Sequence, residues 1–127
     1  MELTLSRIAV TGIGIVAPPG TGREEFWQNI QQGKSFVSPI TRFDASAYPS
    51  RVAGQIEDLK PGHLSPRLLK KIDRFSVMAL MAAEQAIQDA SLDLASEDPY
   101  DLGIFLGNAL GGWFYAETEL RDLYVEG

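Results

Sequence analysis

Between Asp101 and Ala116 the chain changes its hydrophobic periodicity, and that change limits what it can fold into. Leu102-Gly103-Ile104-Phe105-Leu106 is an apolar run too short for a helix, and it leads into the glycine-rich Gly107-Asn108-Ala109-Leu110-Gly111-Gly112. Beyond Gly112 the spacing becomes helical, with Trp113, Ala116, Leu120 and Tyr124 on one face. The stretch therefore predicts a buried strand, a glycine corner and a helix. A corner of this kind sets small backbone groups and one aromatic helix face beside a cavity, where function is to be sought first.

The remaining chain supplies elements of the same type. Ile8 to Ala17 is β-branched and almost continuously apolar, as a strand buried on both faces would be, and it stops at Pro18-Pro19-Gly20. Thr21-Gly22-Arg23-Glu24 fits a capping box, which predicts a short helix to about Gln32 with Phe26, Trp27 and Ile30 inward and Gly33 as its left-handed stop. Lys34 to Leu59 is extended and rich in turn residues, with Arg51 to Ile56 as its best strand. Ser65 and Pro66 open a short basic helix through Ile72. Asp73 caps a longer helix from Arg74 to about Ala90, whose face of Phe75, Met78 or Ala79, Ala82, Ala86 and Ala90 permits close backbone approach. This order implies an α/β layer with a mostly parallel sheet. Two confident strands are too few for such a sheet, so the chain is expected to be part of a larger domain.

Composition narrows the chemistry. In 127 residues there is no cysteine, which removes disulfides, zinc thiolates and a cysteine nucleophile from this stretch. The net charge of −6 argues against nonspecific nucleic-acid binding. Met1-Glu2-Leu3-Thr4 lacks the character of a signal peptide and no apolar run approaches membrane-spanning length, so a cytoplasmic protein is expected, with no membrane partner. Gly12-Ile13-Gly14-Ile15-Val16-Ala17 has the letters of a dinucleotide fingerprint, but Pro18-Pro19 postpones the helix that would receive a pyrophosphate. The two glycines are better explained by close packing. His63, the single histidine, reads as an exposed loop residue, and no metal site or complete catalytic constellation is visible. Against the acidic background stand Arg67, Lys70, Lys71 and Arg74, at helical spacing if the helix were continuous. They suit either a solvated surface or a docking patch for an acidic partner.

Val10-Thr11-Gly12-Ile13-Gly14-Ile15-Val16-Ala17-Pro18, Ile40-Thr41-Arg42-Phe43-Asp44, Tyr48-Pro49-Ser50-Arg51-Val52-Ala53-Gly54 and Lys71-Ile72-Asp73-Arg74-Phe75 together resemble the N-terminal part of β-ketoacyl-acyl carrier protein synthases. The resemblance runs through residues 1–127 in order. It implies the N-terminal portion of a thiolase-like αβαβα fold, incomplete as covered here, in a protein that pairs as a dimer. Members of the family condense an acyl thioester on a cysteine with a malonyl unit on acyl carrier protein, with two histidines assisting. Those residues lie downstream of the region seen here, so no catalytic residue is assigned. The phosphopantetheine belongs to the carrier protein, and no cofactor of the chain's own is implied.

Within the family, Ala17-Pro18, Ala53 to Leu59 and above all Gly111 to Gly127 look like the chain length factor, the partner of the catalytic ketosynthase in type II polyketide synthases. Asp73-Arg74-Phe75 is closer to ordinary catalytic ketosynthases. A catalytic β-ketoacyl synthase is accordingly the alternative, as a heterodimer or homodimer partner, and a non-enzymatic scaffold fragment is a third possibility. The chain length factor resemblance implies that Trp113, Ala116 and Leu120 border the acyl-chain tunnel. Catalytic ketosynthases dock the acidic carrier protein with basic residues just before their Asp-Arg-Phe, and the resemblance to them implies that Arg67, Lys70 and Lys71, at the matching positions, dock the acyl carrier protein.

Overall fold

The computed structural model describes residues 7–62 and 64–127. In chain order it contains β1 (Val16–Ala17), β2 (Gly20–Thr21), α1 (Arg23–Gln31), β3 (Val37–Pro39), β4 (Val52–Gly54), α2 (Pro66–Leu69), α3 (Arg74–Asp89) and α4 (Trp113–Glu126). His63 and the leading Met1 to Thr4 lie outside the described residues.

The long helix forms where the sequence places it. Asp73 is the N-cap of α3 and its Oδ1 accepts the Phe75 N–H at 2.9 Å. The alanine stripe gives close approach, and the partner is the segment carrying Gly12 and Gly14. A Cβ on Gly12 would stand 2.1 Å from the Ala86 carbonyl oxygen, and one on Gly14 would stand 1.8 Å from that of Ala82. The contact is held by side chains of α3 as well. Asp89 Oδ2 accepts the Ile13 N–H at 3.0 Å, and Gln85 Oε1 accepts the Ile15 N–H at 2.9 Å. The glycines therefore serve packing, as their spacing suggests, and the helix side chains satisfy backbone donors that no neighbouring strand takes up. Val77 and Met81, one turn apart beside the stripe, are the most deeply buried residues of α3.

The strands depart from the expectation. The ladders among the described residues are antiparallel: β1 with β2, and β3 with β4 in the register Val37 to Gly54, Ser38 to Ala53 and Pro39 to Val52. The second pair lies in the extended, turn-rich stretch from Lys34 to Leu59, and its β4 falls within Arg51 to Ile56, the strand expected there. Among the described residues, only the last two of the predicted strand Ile8 to Ala17 pair, and Leu102 to Leu106 forms no ladder. A parallel strand needs at least one neighbouring strand to pair with, and the described residues place none there. Ile8, Ile104 and Phe105 are consequently almost fully exposed.

Helix α1 begins one residue later than the capping box requires. Gly22 is its N-cap and makes no side-chain cap. Glu25, now at the third helical position, accepts the Thr21 N–H at 2.9 Å, the return bond assigned to Glu24. Glu24 pairs with Arg23 instead, at 3.0 Å. Of the three residues expected to point inward, Phe26 is half-buried whereas Trp27 and Ile30 are exposed. Gly33, with φ 64°, ends the helix as expected. The basic helix is also shorter than predicted: Ser65 caps α2 by accepting the Leu68 N–H at 3.2 Å, and α2 stops at Leu69.

Candidate functional site

The start of α4 and the start of α3 meet, and a cleft opens where they face the β3–β4 hairpin. Its volume is about 920 Å³. Ile40 and Ile56 beside the hairpin, Ile72 and Phe75 around the Asp73 cap, and Phe114 and Tyr115 on α4 make its apolar wall. Gly111 brings the chain into α4 directly over Phe75, since a Cβ there would lie 2.7 Å from the ring. Asp73 fixes the same junction from the polar side. Its second oxygen, Oδ2, accepts the Tyr115 N–H at 3.2 Å across 42 residues of sequence. One carboxylate thus satisfies donors at the N-termini of two helices, where the positive ends of both helix dipoles favour it.

Cations gather on one side of this cleft. Arg74 leaves the row of basic residues read from the sequence, because the break at Asp73 turns it inward, where its guanidinium donates to the Ile56 carbonyl oxygen. Burial first, and the nearby Arg42 cation second, hold the Arg74 pKa below its ordinary value. Arg67, Lys70 and Lys71 are exposed. Among the described residues none of these three takes part in a salt bridge. Lys70 alone of them reaches the cleft. The Glu119 carboxylate, also at the cleft, raises the pKa of Tyr115 by its charge first and by a hydrogen bond second.

The three α4 residues singled out in the sequence share one helix face, and it is a different face from the one that lines the cleft. Trp113 and Leu120 are exposed and Ala116 is half-buried between them. Phe114, Tyr115, Thr118 and Glu119 take the cleft side. The sequence reading missed the cleft and the second role of Asp73. The paired aromatics Phe114 and Tyr115, next to the predicted gate residues, were the available signal for the former. Among the described residues no group of three or more His, Asp or Glu side chains is placed to hold a metal. Nor, among the described residues, is any helix long and apolar enough to cross a membrane.

Comparison with known proteins gives this arrangement a family. The model of the β-ketoacyl synthase N-terminal domain matches residues 5–126. The chain belongs to the β-ketoacyl synthase family. It is 42% identical over 121 residues to the tetracenomycin polyketide synthase ketoacyl synthase beta subunit of Streptomyces glaucescens, covering 94% of this chain and 30% of that protein. Its structure superposes on the ishigamide ketosynthase/chain length factor with a TM-score of 0.68 and 30% identity, over 92% of this chain and 30% of the other. A type II polyketide synthase acyl-carrier protein in complex with its ketosynthase bound to the hexaketide is matched with a TM-score of 0.65 and 30% identity, over 93% and 31%. The chain spans about a third of the length of these relatives and takes the N-terminal part of their thiolase-like ketosynthase fold.

Proposed function

We propose that this chain is part of the non-nucleophilic partner subunit of a type II polyketide ketosynthase, and that it shapes the tunnel into which the acyl chain grows. The observation that carries the proposal is the face of α4. Trp113 shares a face with the smaller Ala116 and Leu120 on a helix that begins at the glycine corner, in a chain similar to a ketoacyl synthase beta subunit. In this reading the catalytic subunit holds the growing chain as a cysteine thioester. Decarboxylation of malonyl carrier protein releases CO2 and yields the carbanion that attacks the thioester carbonyl, and the cysteine thiolate leaves. The present chain contributes volume. Trp113 forms a wall, while Ala116 and Leu120 leave room, so the side chains at these positions limit product length. Product analysis of Ala116→Phe and Leu120→Phe in the reconstituted complex tests this, with shorter products expected. Unchanged chain lengths from both would remove the gate.

Arg67, Lys70 and Lys71 are the docking patch of the same reading. Their exposure without acidic partners in a chain of net charge −6 supports attraction of an acidic carrier protein. Carrier affinity should fall as salt shortens the screening length from about 10 Å at 0.1 M. It should fall further in the double variant Lys70→Glu, Lys71→Glu, measured by titration calorimetry. An affinity that moved with neither salt nor substitution would leave the patch a solvated surface. The phosphopantetheine arm comes with the carrier, and the subunit needs no cofactor of its own. The partners are then the catalytic ketosynthase subunit and the acyl carrier protein.

A further inference from the structure

Helix α4 has little of its own to fix its direction. Its N-cap is Gly112, which offers no side-chain acceptor. Toward its end Leu123, Tyr124 and Val125 are mostly exposed. What it has at its start is two points of attachment to the start of α3: Gly111 against the Phe75 ring and the Tyr115 N–H on Asp73 Oδ2. The other oxygen of the same carboxylate caps α3. Because both bonds end on one carboxylate, they tether the starts of the two helices to each other. Loss of the bond to Tyr115 would leave α4, and with it the face of Trp113, Ala116 and Leu120, one fewer attachment to α3.

We infer that Asp73 is a positioning residue for product length, acting through the orientation of α4. The inference rests on the reading of that face as the tunnel gate. Among the described residues the Asp73 carboxylate accepts hydrogen bonds from Phe75 and Tyr115, not from Trp113, Ala116 or Leu120.

Two substitutions separate its two bonds. Asp73→Asn keeps one carbonyl oxygen, an N-cap as good as aspartate, and replaces the other oxygen with a donor that cannot accept an N–H. Asp73→Ser is also a good cap, with a single short hydroxyl for α3 and nothing to reach α4. In the ketosynthase complex with its partner subunit and carrier protein, both variants should shift the ratio of shorter to longer products by roughly two- to tenfold, the change in population that loss of one ordinary hydrogen bond produces. Exchange of the Tyr115 amide should accelerate by a similar factor.

If Ala116→Phe alters the products and both Asp73 variants keep the wild-type distribution, the positioning role is overturned and the gate survives. If neither Ala116→Phe nor Leu120→Phe alters the products, the gate itself is lost and Asp73 loses its role in product length with it. Wild-type protection of the Tyr115 amide in both variants would overturn the link between the helices whatever the products.

Discussion

Replacing Gly14 with alanine puts a methyl carbon where the structure has no room. The added Cβ would lie 1.8 Å from the Ala82 carbonyl oxygen and 2.8 Å from the Ala86 nitrogen, both backbone atoms of a continuous helix that cannot turn aside. Ordinary contact begins at 3.4 Å, so the segment must withdraw from α3 by about 1.6 Å. At that displacement the bonds from Ile13 N–H to Asp89 and from Ile15 N–H to Gln85, now 3.0 and 2.9 Å, exceed hydrogen-bonding range. Each is worth about 1 kcal/mol net, and the strain of overpacking adds about 1–3 kcal/mol, so Gly14→Ala should cost about 3–5 kcal/mol. That is a large share of the stability of any domain of this size. Gly107→Ala is the control, since nothing lies within 4 Å of its Cβ. Urea denaturation gives the free-energy change, and amide exchange at Ile13 and Ile15 shows whether the loss occurs where the geometry places it. A cost below about 1 kcal/mol, or unchanged protection at both amides, would refute the close-packing explanation of the glycine pair.

Two smaller effects follow from local geometry. Ser65→Ala removes the acceptor for the Leu68 N–H and should cost about 1 kcal/mol, visible as faster exchange at Leu68, because α2 has only four residues over which to share the loss. Asp44 accepts the Ser46 N–H at 3.0 Å, and that bond first, the Ser46 hydroxyl second, holds its pKa below the usual carboxylate value. With the folded pKa depressed, the contribution of this turn to stability is present above the unfolded value and is lost as pH falls through the folded one. A carboxyl chemical-shift titration should therefore find the Asp44 pKa below that of an ordinary aspartate, and Ser46→Ala, which keeps the amide donor, should return it only part of the way.

The features legible in the sequence are those decided by neighbours along the chain. Asp73 before Arg74 and Ser65 before Pro66 are caps that act within three residues, and the 3.6-residue spacing of alanines on α3 needs no distant partner to be recognised. The hairpin of β3 and β4 is local in the same sense. A shift of one residue in a helix start was enough to move the Thr21 bond from Glu24 to Glu25, because helical position and not residue type decides which carboxylate faces back. Strand pairing for Ile8 to Ile15 and Leu102 to Leu106 could not be read, since a ladder is a property of two segments and the pattern describes one. The cleft was hidden for a related reason: it forms where residues near 40, 56, 73 and 115 converge, and no window of sequence contains them together.

Under the proposed function, the two faces of α4 keep docking and length control apart within one small region. Lys70 lies on the cleft side, opposite Phe114 and Tyr115, whereas Trp113, Ala116 and Leu120 are carried on the other face. In that reading, charge at the rim would act on encounter with an acidic partner and be screened by salt. Volume on the far face would act instead on an apolar chain. The two can therefore vary independently, provided that α4 keeps its direction. Asp73 stands between them, one oxygen on each helix, at the point where a change in direction would couple what the faces otherwise keep apart.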